Sequence, residues 1–455
     1  MDEPQQERRA RDAARGPSRI REALPPLVVF AALWGACEWG ADRYYYAKTY
    51  DYYHAAEVYW EEQSTLLLYL PHRYLFWTLK PGIRMKAQEV AETFGLRPEH
   101  NGRKRYDWEI RVSPQGFRGA AFPEQRPKAE LRVACFGDSR TIGESLEESQ
   151  SYEARLTARL ESAFPGRPIR VLNLGADGWS SHQGLTLLER QARDYAPDVA
   201  VFAFGINDTD TDWNMDDTER ARLMDKPAVT IQRTLFRSMA FYWAERQFLW
   251  AKGRLFGRSR VVRPERDRRG GRAVRVGLPQ YAENLRRFAR GCRSAQIRPL
   301  LLVIPVNPYQ DWEPFTPELA PPRETAGREA LAAARAPASQ EPLEHLARLA
   351  AQEPSFYPGR YAFARELREH GELAAAHREF CAARELAVFA AYNREAEATA
   401  VREQIPVVDV RADFEAVLPY EPLYADEMHP NARGAELIAR LLGEQIRQMF
   451  EAPPR

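Results

Sequence analysis

Val133-Ala134-Cys135-Phe136-Gly137-Asp138-Ser139 is the stretch that decides the fold. Its apolar run is short enough for a strand buried on both faces, the kind found in parallel sheets. Gly-Asp-Ser then breaks the run, and a helical pattern follows from Tyr152 to Phe164. The spacing predicts a parallel strand that delivers Ser139 to a sharp turn before a helix. A serine there stands at the carboxyl edge of the sheet, where open α/β folds bind ligands. Its backbone N–H lies near a helix start, where negative charge is stabilised. Gly-Asp-Ser is also an ordinary turn composition, so the tripeptide alone leaves both readings open.

Three further segments work outward from it. Ile169 to Trp179 is apolar and contains Asn173-Leu174-Gly175-Ala176-Asp177-Gly178. Val199-Ala200-Val201-Phe202-Ala203-Phe204 runs into Gly205-Ile206-Asn207-Asp208. Asp426-Glu427-Met428-His429-Pro430-Asn431 precedes a helical pattern from Gly434 to Phe450. Serine, glycine, asparagine and Asp-x-x-His thus occur in order at strand or helix edges. In these four segments the chain resembles an SGNH hydrolase of the GDSL esterase/lipase superfamily, over roughly Leu131 to Phe450 with insertions. The resemblance implies an α/β fold: a three-layer α/β/α sandwich around a five-stranded parallel sheet, flavodoxin-like in type. Alternating segments agree with it. Strands are expected at Arg132–Phe136, Arg170–Leu174, Val199–Phe204, Pro299–Ile304 and Pro406–Val410, with a helix at Tyr281–Ala295 among those between.

The chemistry follows residue by residue. Ser139 is a weak nucleophile until a base takes its proton. His429 is the expected base, and Asp426, three residues earlier, can fix its tautomer and stabilise the imidazolium. By the resemblance, the oxyanion hole comprises the Ser139 and Gly178 backbone N–H groups and the Asn207 amide. Gly178 is preferred to Gly175 because it lies five residues after Asn173, as in the family pattern. Asn207 is equally at home as a helix cap or turn former. Asp138 is assigned to the turn, and His182 to the rim of the site or the surface. His54, His72, His345 and His377 have no metal-ligand spacing, and neither a metal nor another cofactor is expected.

A formal net charge of +1 on 455 residues gives no general argument for nucleic-acid binding. Cys37, Cys135, Cys292 and Cys381 form neither a CxxC pair nor a disulfide framework, and Cys135 is expected to be a buried thiol. Residues 1–23 carry Arg8, Arg9, Arg11, Arg15, Arg19 and Arg21 and read as a cytoplasmic tail. Residues 24–41 are apolar except for Glu38 and are expected to form a membrane-spanning signal-anchor helix, placing the rest outside the cytoplasmic membrane. A cleaved signal peptide, a lipoprotein signal ending at Cys37 and a buried amphipathic helix are the alternatives.

Residues 42–128 are expected to form a membrane-proximal subdomain. It holds a helix over Tyr59 to Leu70, short strands at Leu75 to Pro81 and Trp108 to Val112, and the phrase Ser113-Pro114-Gln115-Gly116-Phe117-Arg118-Gly119, which resembles a lead-in of membrane-anchored members of the family. The catalytic core occupies 129–313 and 395–455. Insertion 210–276 ends in a basic loop, Arg254 to Arg275, read either as solvated loop or as an arginine-rich rim that attracts anionic groups. Insertion 314–394 begins as a Pro/Ala/Glu-rich linker. Its second part resembles one tetratricopeptide hairpin, turning at Gly371. Tyr361, Phe363, Leu367, Leu373 and Phe380 are too few to form a core, so the hairpin is expected to dock on the catalytic domain or offer a surface to a partner protein.

The functional expectation is an extracytoplasmic serine esterase that hydrolyses or transfers an O-acyl group of a carbohydrate, lipid or small ester. The alternatives are an O-acyltransferase acting on envelope polysaccharide and a catalytically silent, membrane-anchored scaffold.

Overall fold

A computed structural model of the chain describes residues 25–40, 69–72, 74–86, 99–100, 103–104, 109–211 and 216–224. It also describes scattered helical positions between 240 and 254, and residues 274–312, 321–334 and 342–451. The chain divides into two compact units. The first comprises Met1–Pro71, Thr93–Gly95 and Pro227–Arg268. In it, residues 25–40 are helical, with Leu27, Val28, Val29, Phe30 and Leu33 exposed. The Glu38 carboxylate accepts the Ala240 N–H at 3.0 Å. The membrane-spanning helix expected over 24–41 is not found: among the described residues, no helix is long and apolar enough to cross a membrane. The helix expected over Tyr59 to Leu70 lies outside the described residues except at its last two positions, which are strand.

The second unit holds the α/β core. Its strands are β1 (Leu131–Gly137), β2 (Ile169–Gly175), β3 (Val199–Ala203), β4 (Arg298–Val303) and β5 (Val407–Asp409). All pair in parallel, in the order β5-β4-β3-β1-β2. β1 and β3 are buried at every position, which is why they read as unbroken apolar runs rather than alternating ones. Register puts Gly137 beside both Gly175 and Ala203, so three small residues stand level at the carboxyl edge.

The intervening helices are α1 (Ser139–Ile142), α2 (Tyr152–Ala163), α3 (Ser181–Arg190), α4 (Asp217–Met224) and α5 (Leu278–Ser294). They continue with α6 (Pro321–Ala334), α7 (Pro342–Gln352), α8 (Tyr357–Glu369), α9 (Leu373–Arg384) and α10 (Val388–Glu403), then α11 (Arg411–Val417) and α12 (Ala432–Glu451). α2 and α12 pack together on one face of the sheet, where Leu156, Leu160, Ile438 and Leu442 meet Val133, Cys135 and Val201. On the other face α5 packs against α3 and α10, and Phe288 sits edge-on to Phe136 and Phe202. Cys135 is buried, as expected.

Two expectations need correction. The presumed linker contains helices α6 and α7. Leu331 and Ala334 of α6 and Leu346 and Leu349 of α7 gather around Phe356 and Ala362, so the alanines here form packing surface. Arg275, placed in the basic loop, is fully buried instead. The hairpin of α8 and α9 docks on the catalytic unit through Tyr361, Leu367 and Phe380, which pack with Tyr309 and Trp312. Leu373, grouped with them in the sequence, is 65% exposed.

Candidate active site

Ser139 is placed by a chain of local constraints. β1 ends at Gly137, where a Cβ would stand 2.0 Å from Thr141 Oγ1, so only glycine lets the turn close this tightly. Asp138 caps α1, its Oδ1 accepting the Arg140 N–H at 3.0 Å. The same carboxylate binds the Arg140 guanidinium at 2.8 and 3.0 Å, and Arg140 donates onward to the Ile304 carbonyl. Asp138 is therefore a turn former, as expected. The turn is not open, since Ser139 is only 6% exposed.

His429 reaches Ser139 across the carboxyl edge from the segment between α11 and α12. Asp426 shapes that segment by accepting the Met428 and His429 N–H groups on Oδ1, both at 2.9 Å. Its Oδ2 lies 2.8 Å from His429 Nδ1, and His429 Nε2 lies 2.7 Å from Ser139 Oγ. Asn431 then caps α12, accepting the Arg433 and Gly434 N–H groups. The three residues expected to form the site thus come together in hydrogen-bonded order.

The charges of the pair are coupled. Burial opposes charge on His429, but Glu144 and Asp426 outweigh it and push the imidazole up to about 9. Burial acts to raise Asp426, and the hydrogen bonds and charge of His429 overcome it, pulling the carboxyl down to about 2. Nδ1–H therefore faces a carboxylate, which leaves Nε2 to exchange a proton with Ser139.

The residues expected to hold an oxyanion cluster on the neighbouring turns. Ser139 opens α1, so its N–H has no acceptor within the helix. Gly178 has φ +70°, a conformation that favours glycine. The Asn207 amide donates to the carbonyl of Trp179, the residue after Gly178, at 3.1 Å, so in the structure it ties the two turns together. Asp208 is fully buried and accepts the Ser181 N–H, fixing the same turn to the start of α3. Burial raises its carboxyl to about 7, against the Ser181 hydrogen bonds. His182 is half-buried and stacks on Phe76 with ring centroids 5.8 Å apart. Among the described residues, no group of three or more His, Cys, Asp or Glu could hold a metal ion.

Four supporting residues escaped sequence reasoning. Arg275 Nη1 donates to the Gly178 carbonyl at 2.6 Å, while the guanidinium pairs with Asp217 and Gln183. Arg118 Nη1 donates to the carbonyls of Ile142 and Gly143, each at 2.6 Å, and Nη2 donates to that of Leu146. Asn307 binds the Asp426 segment, its N–H to the Glu427 carbonyl at 2.9 Å and its amide to that of Asp426 at 3.3 Å. Glu144 approaches His429 Nε2 at 3.2 Å. The prior signs were the resemblance of the phrase containing Arg118 to a family lead-in and the basic loop ending at Arg275, and neither pointed to these roles.

Comparison with known proteins identifies the family. The GDSL-like lipase/acylhydrolase family matches residues 135–437, the greater part of the sequence, and the chain belongs to that family. It is an ester-hydrolysing serine hydrolase. Similar solved structures include an α/β hydrolase from the metagenome of Lake Arreo, Spain, at 17% identity and TM-score 0.33, covering 71% of this chain and 97% of that one. A lipase/acylhydrolase from Enterococcus faecalis has 14% identity and TM-score 0.35, covering 70% and 96%. An acetylxylan esterase from Geobacillus stearothermophilus has 16% identity and TM-score 0.35, covering 70% and 94%. No curated protein matches the chain.

Proposed function

We propose that Ser139, His429 and Asp426 perform ester cleavage through an acyl-enzyme. The observation that carries this reading is His429 bridging Ser139 Oγ and Asp426 Oδ2 at 2.7 and 2.8 Å. Ser139 Oγ attacks the ester carbonyl and gives its proton to His429 Nε2. The tetrahedral oxyanion is held by the Ser139 and Gly178 N–H groups, joined by Asn207 once its amide leaves the Trp179 carbonyl. Collapse breaks the bond to the leaving alcohol, whose oxygen takes the Nε2 proton. Water then attacks the acyl-enzyme, His429 again accepting and returning one proton, to release the acid and restore Ser139. An alcohol in place of water would give acyl transfer, and the acyl group could come from a carbohydrate, a lipid or a small ester.

The test compares wild type with Ser139→Ala on a short-chain nitrophenyl ester, with labelling by a small organophosphate. The expected result is a loss on the order of 10⁶-fold in kcat and no labelling, in a protein that still melts cooperatively. Undiminished turnover by the folded variant overturns the assignment.

We further propose that the catalytic unit works outside the cytoplasmic membrane. Support comes from the six arginines ahead of residue 24 and the exposed apolar side chains of residues 25–40. An alkaline-phosphatase fusion after residue 130 should be active and a cytosolic reporter silent. The opposite pattern rejects this location.

A further inference from the structure

Glu144 stands where the alcohol must leave. In ester cleavage the leaving oxygen takes its proton from His429 Nε2, and the incoming water surrenders its proton to the same atom. Any group within hydrogen-bond reach of Nε2, other than Ser139 Oγ, therefore borders the position of that oxygen. Glu144 Oε2 lies 3.2 Å from Nε2, with its side chain 32% exposed.

Its place is built rather than incidental. Gly143 ends α1 at φ +77° and turns the chain back, so the N–H groups of Gly143 and Glu144 both reach the Ser139 carbonyl at 3.1 Å. Arg118 binds the carbonyls of Ile142 and Gly143 before Glu144 and that of Leu146 after it, gripping the segment on both sides. Ser145 adopts φ +68°, which an L-residue adopts only at a cost. Glu144 is thus indexed to the nucleophile through backbone atoms five residues apart. The acidic groups facing His429 are Glu144, Asp426 and Asp177. Asp426 occupies the Nδ1 side, leaving Glu144 as the carboxylate in contact with Nε2.

We propose that Glu144 is a specificity-determining residue that selects uncharged, hydroxyl-bearing leaving alcohols and rejects anionic ones. A carboxylate at this position accepts a hydrogen bond from a neighbouring hydroxyl of a polyol and repels a phosphate or carboxylate on the leaving group. It also stabilises imidazolium over imidazole in the free enzyme, so substrate entry must separate Glu144 from His429. The proposal rests on the triad assigned above.

Kinetics with phenyl acetate and 4-acetoxybenzoate test it, since the two deliver the same acyl group from neutral and anionic leaving alcohols. Wild type should favour the neutral ester, and Glu144→Gln should reduce that preference on the order of tenfold. The acidic limb of the kcat/KM profile should also fall by about one pH unit or more in the variant. Glu144→Asp, which withdraws the carboxylate by one methylene, should lower the limb while keeping part of the preference, and it decides the matter if the glutamine variant misfolds. Organophosphate labelling of Ser139 reports an intact nucleophile. An unchanged limb together with an unchanged preference overturns the proposal. If instead Ser139→Ala retained activity, the triad reading would fail first, an outcome the Glu144 variants cannot produce.

Discussion

At the residue scale, the site resolves into one proton path and the groups that bias it. Hydrolysis needs neutral His429, whereas Glu144 and Asp426 favour its charged form. The kcat/KM of the free enzyme should therefore rise with pH along an acidic limb whose apparent pKa lies well above the ordinary histidine value of 6.5, toward about 9. A pH–rate profile on a neutral ester checks this, and a limb at or below 6.5 would show that Glu144 does not face His429 in solution. Asp426→Asn keeps the shape of the segment but removes its charge. It should lower kcat by roughly 10⁴-fold and move the limb down, because both the tautomer and the imidazolium lose their partner. Stopped assays with the purified variant would measure both effects.

At the element scale, the parts that the sequence made legible are those whose physics is local. Fully buried β1 and β3 are continuous apolar runs, and Asp-x-x-His folds on itself through hydrogen bonds three residues apart or fewer. What could not be read depends on partners distant in the chain. Arg275 lay among arginines whose composition suggests solvent, yet Asp217, 58 residues away, draws it into the interior beneath Gly178. Arg275→Met should break a buried pair and cost about 3–5 kcal/mol of stability. In the fraction that folds, kcat should fall more than KM rises, because the turn carrying the Gly178 N–H is no longer held. Chemical denaturation and steady-state kinetics separate the two effects. The helical insertion was similarly opaque, because α8 and α9 are stabilised by the segment they cover. Tyr361 Oη donates to the Tyr309 carbonyl at 3.1 Å, Trp312 Nε1 to the Asn307 carbonyl at 2.9 Å, and Asn307 in turn to the Asp426 segment. The insertion is thus linked to the acid–base segment, whereas the sequence suggested docking on the catalytic domain or a surface for a partner protein. Asn307→Ala should lower kcat and broaden the pH profile with little change in KM, while Tyr361→Phe should cost about 1 kcal/mol and leave the profile alone. Equal, purely stability-linked losses in both variants would reject a positioning role for Asn307.

At the scale of the whole molecule, the same ion pairs that restrain the base also stabilise the fold, so stability and activity must diverge with pH. His429 binds its proton more tightly folded than unfolded, since its value is raised from 6.5 to about 9. Its contribution is fully present below pH 6.5 and disappears as pH rises through about 9. A difference of this size corresponds to roughly 3 kcal/mol, an order-of-magnitude figure shared with Asp426 and Glu144 rather than owned by one residue. Asp426 works in the opposite sense: lowered from 3.8 to about 2, its contribution is present above pH 3.8 and is lost as pH falls through about 2. Between those ends the active site stabilises the protein most near pH 4 to 6, where His429 is charged and idle. Activity should climb over the range in which this stabilisation drains away, a trade-off common where function requires groups to be held against their preference. Denaturant midpoints between pH 6 and 10 should fall for wild type while initial rates rise. In His429→Ala the fall should be smaller by about the amount assigned to the pair, because no imidazolium remains to be lost. Parallel stability curves for wild type and His429→Ala across that range would show that the pair contributes nothing to the fold, and would remove the physical basis for the high acidic limb as well.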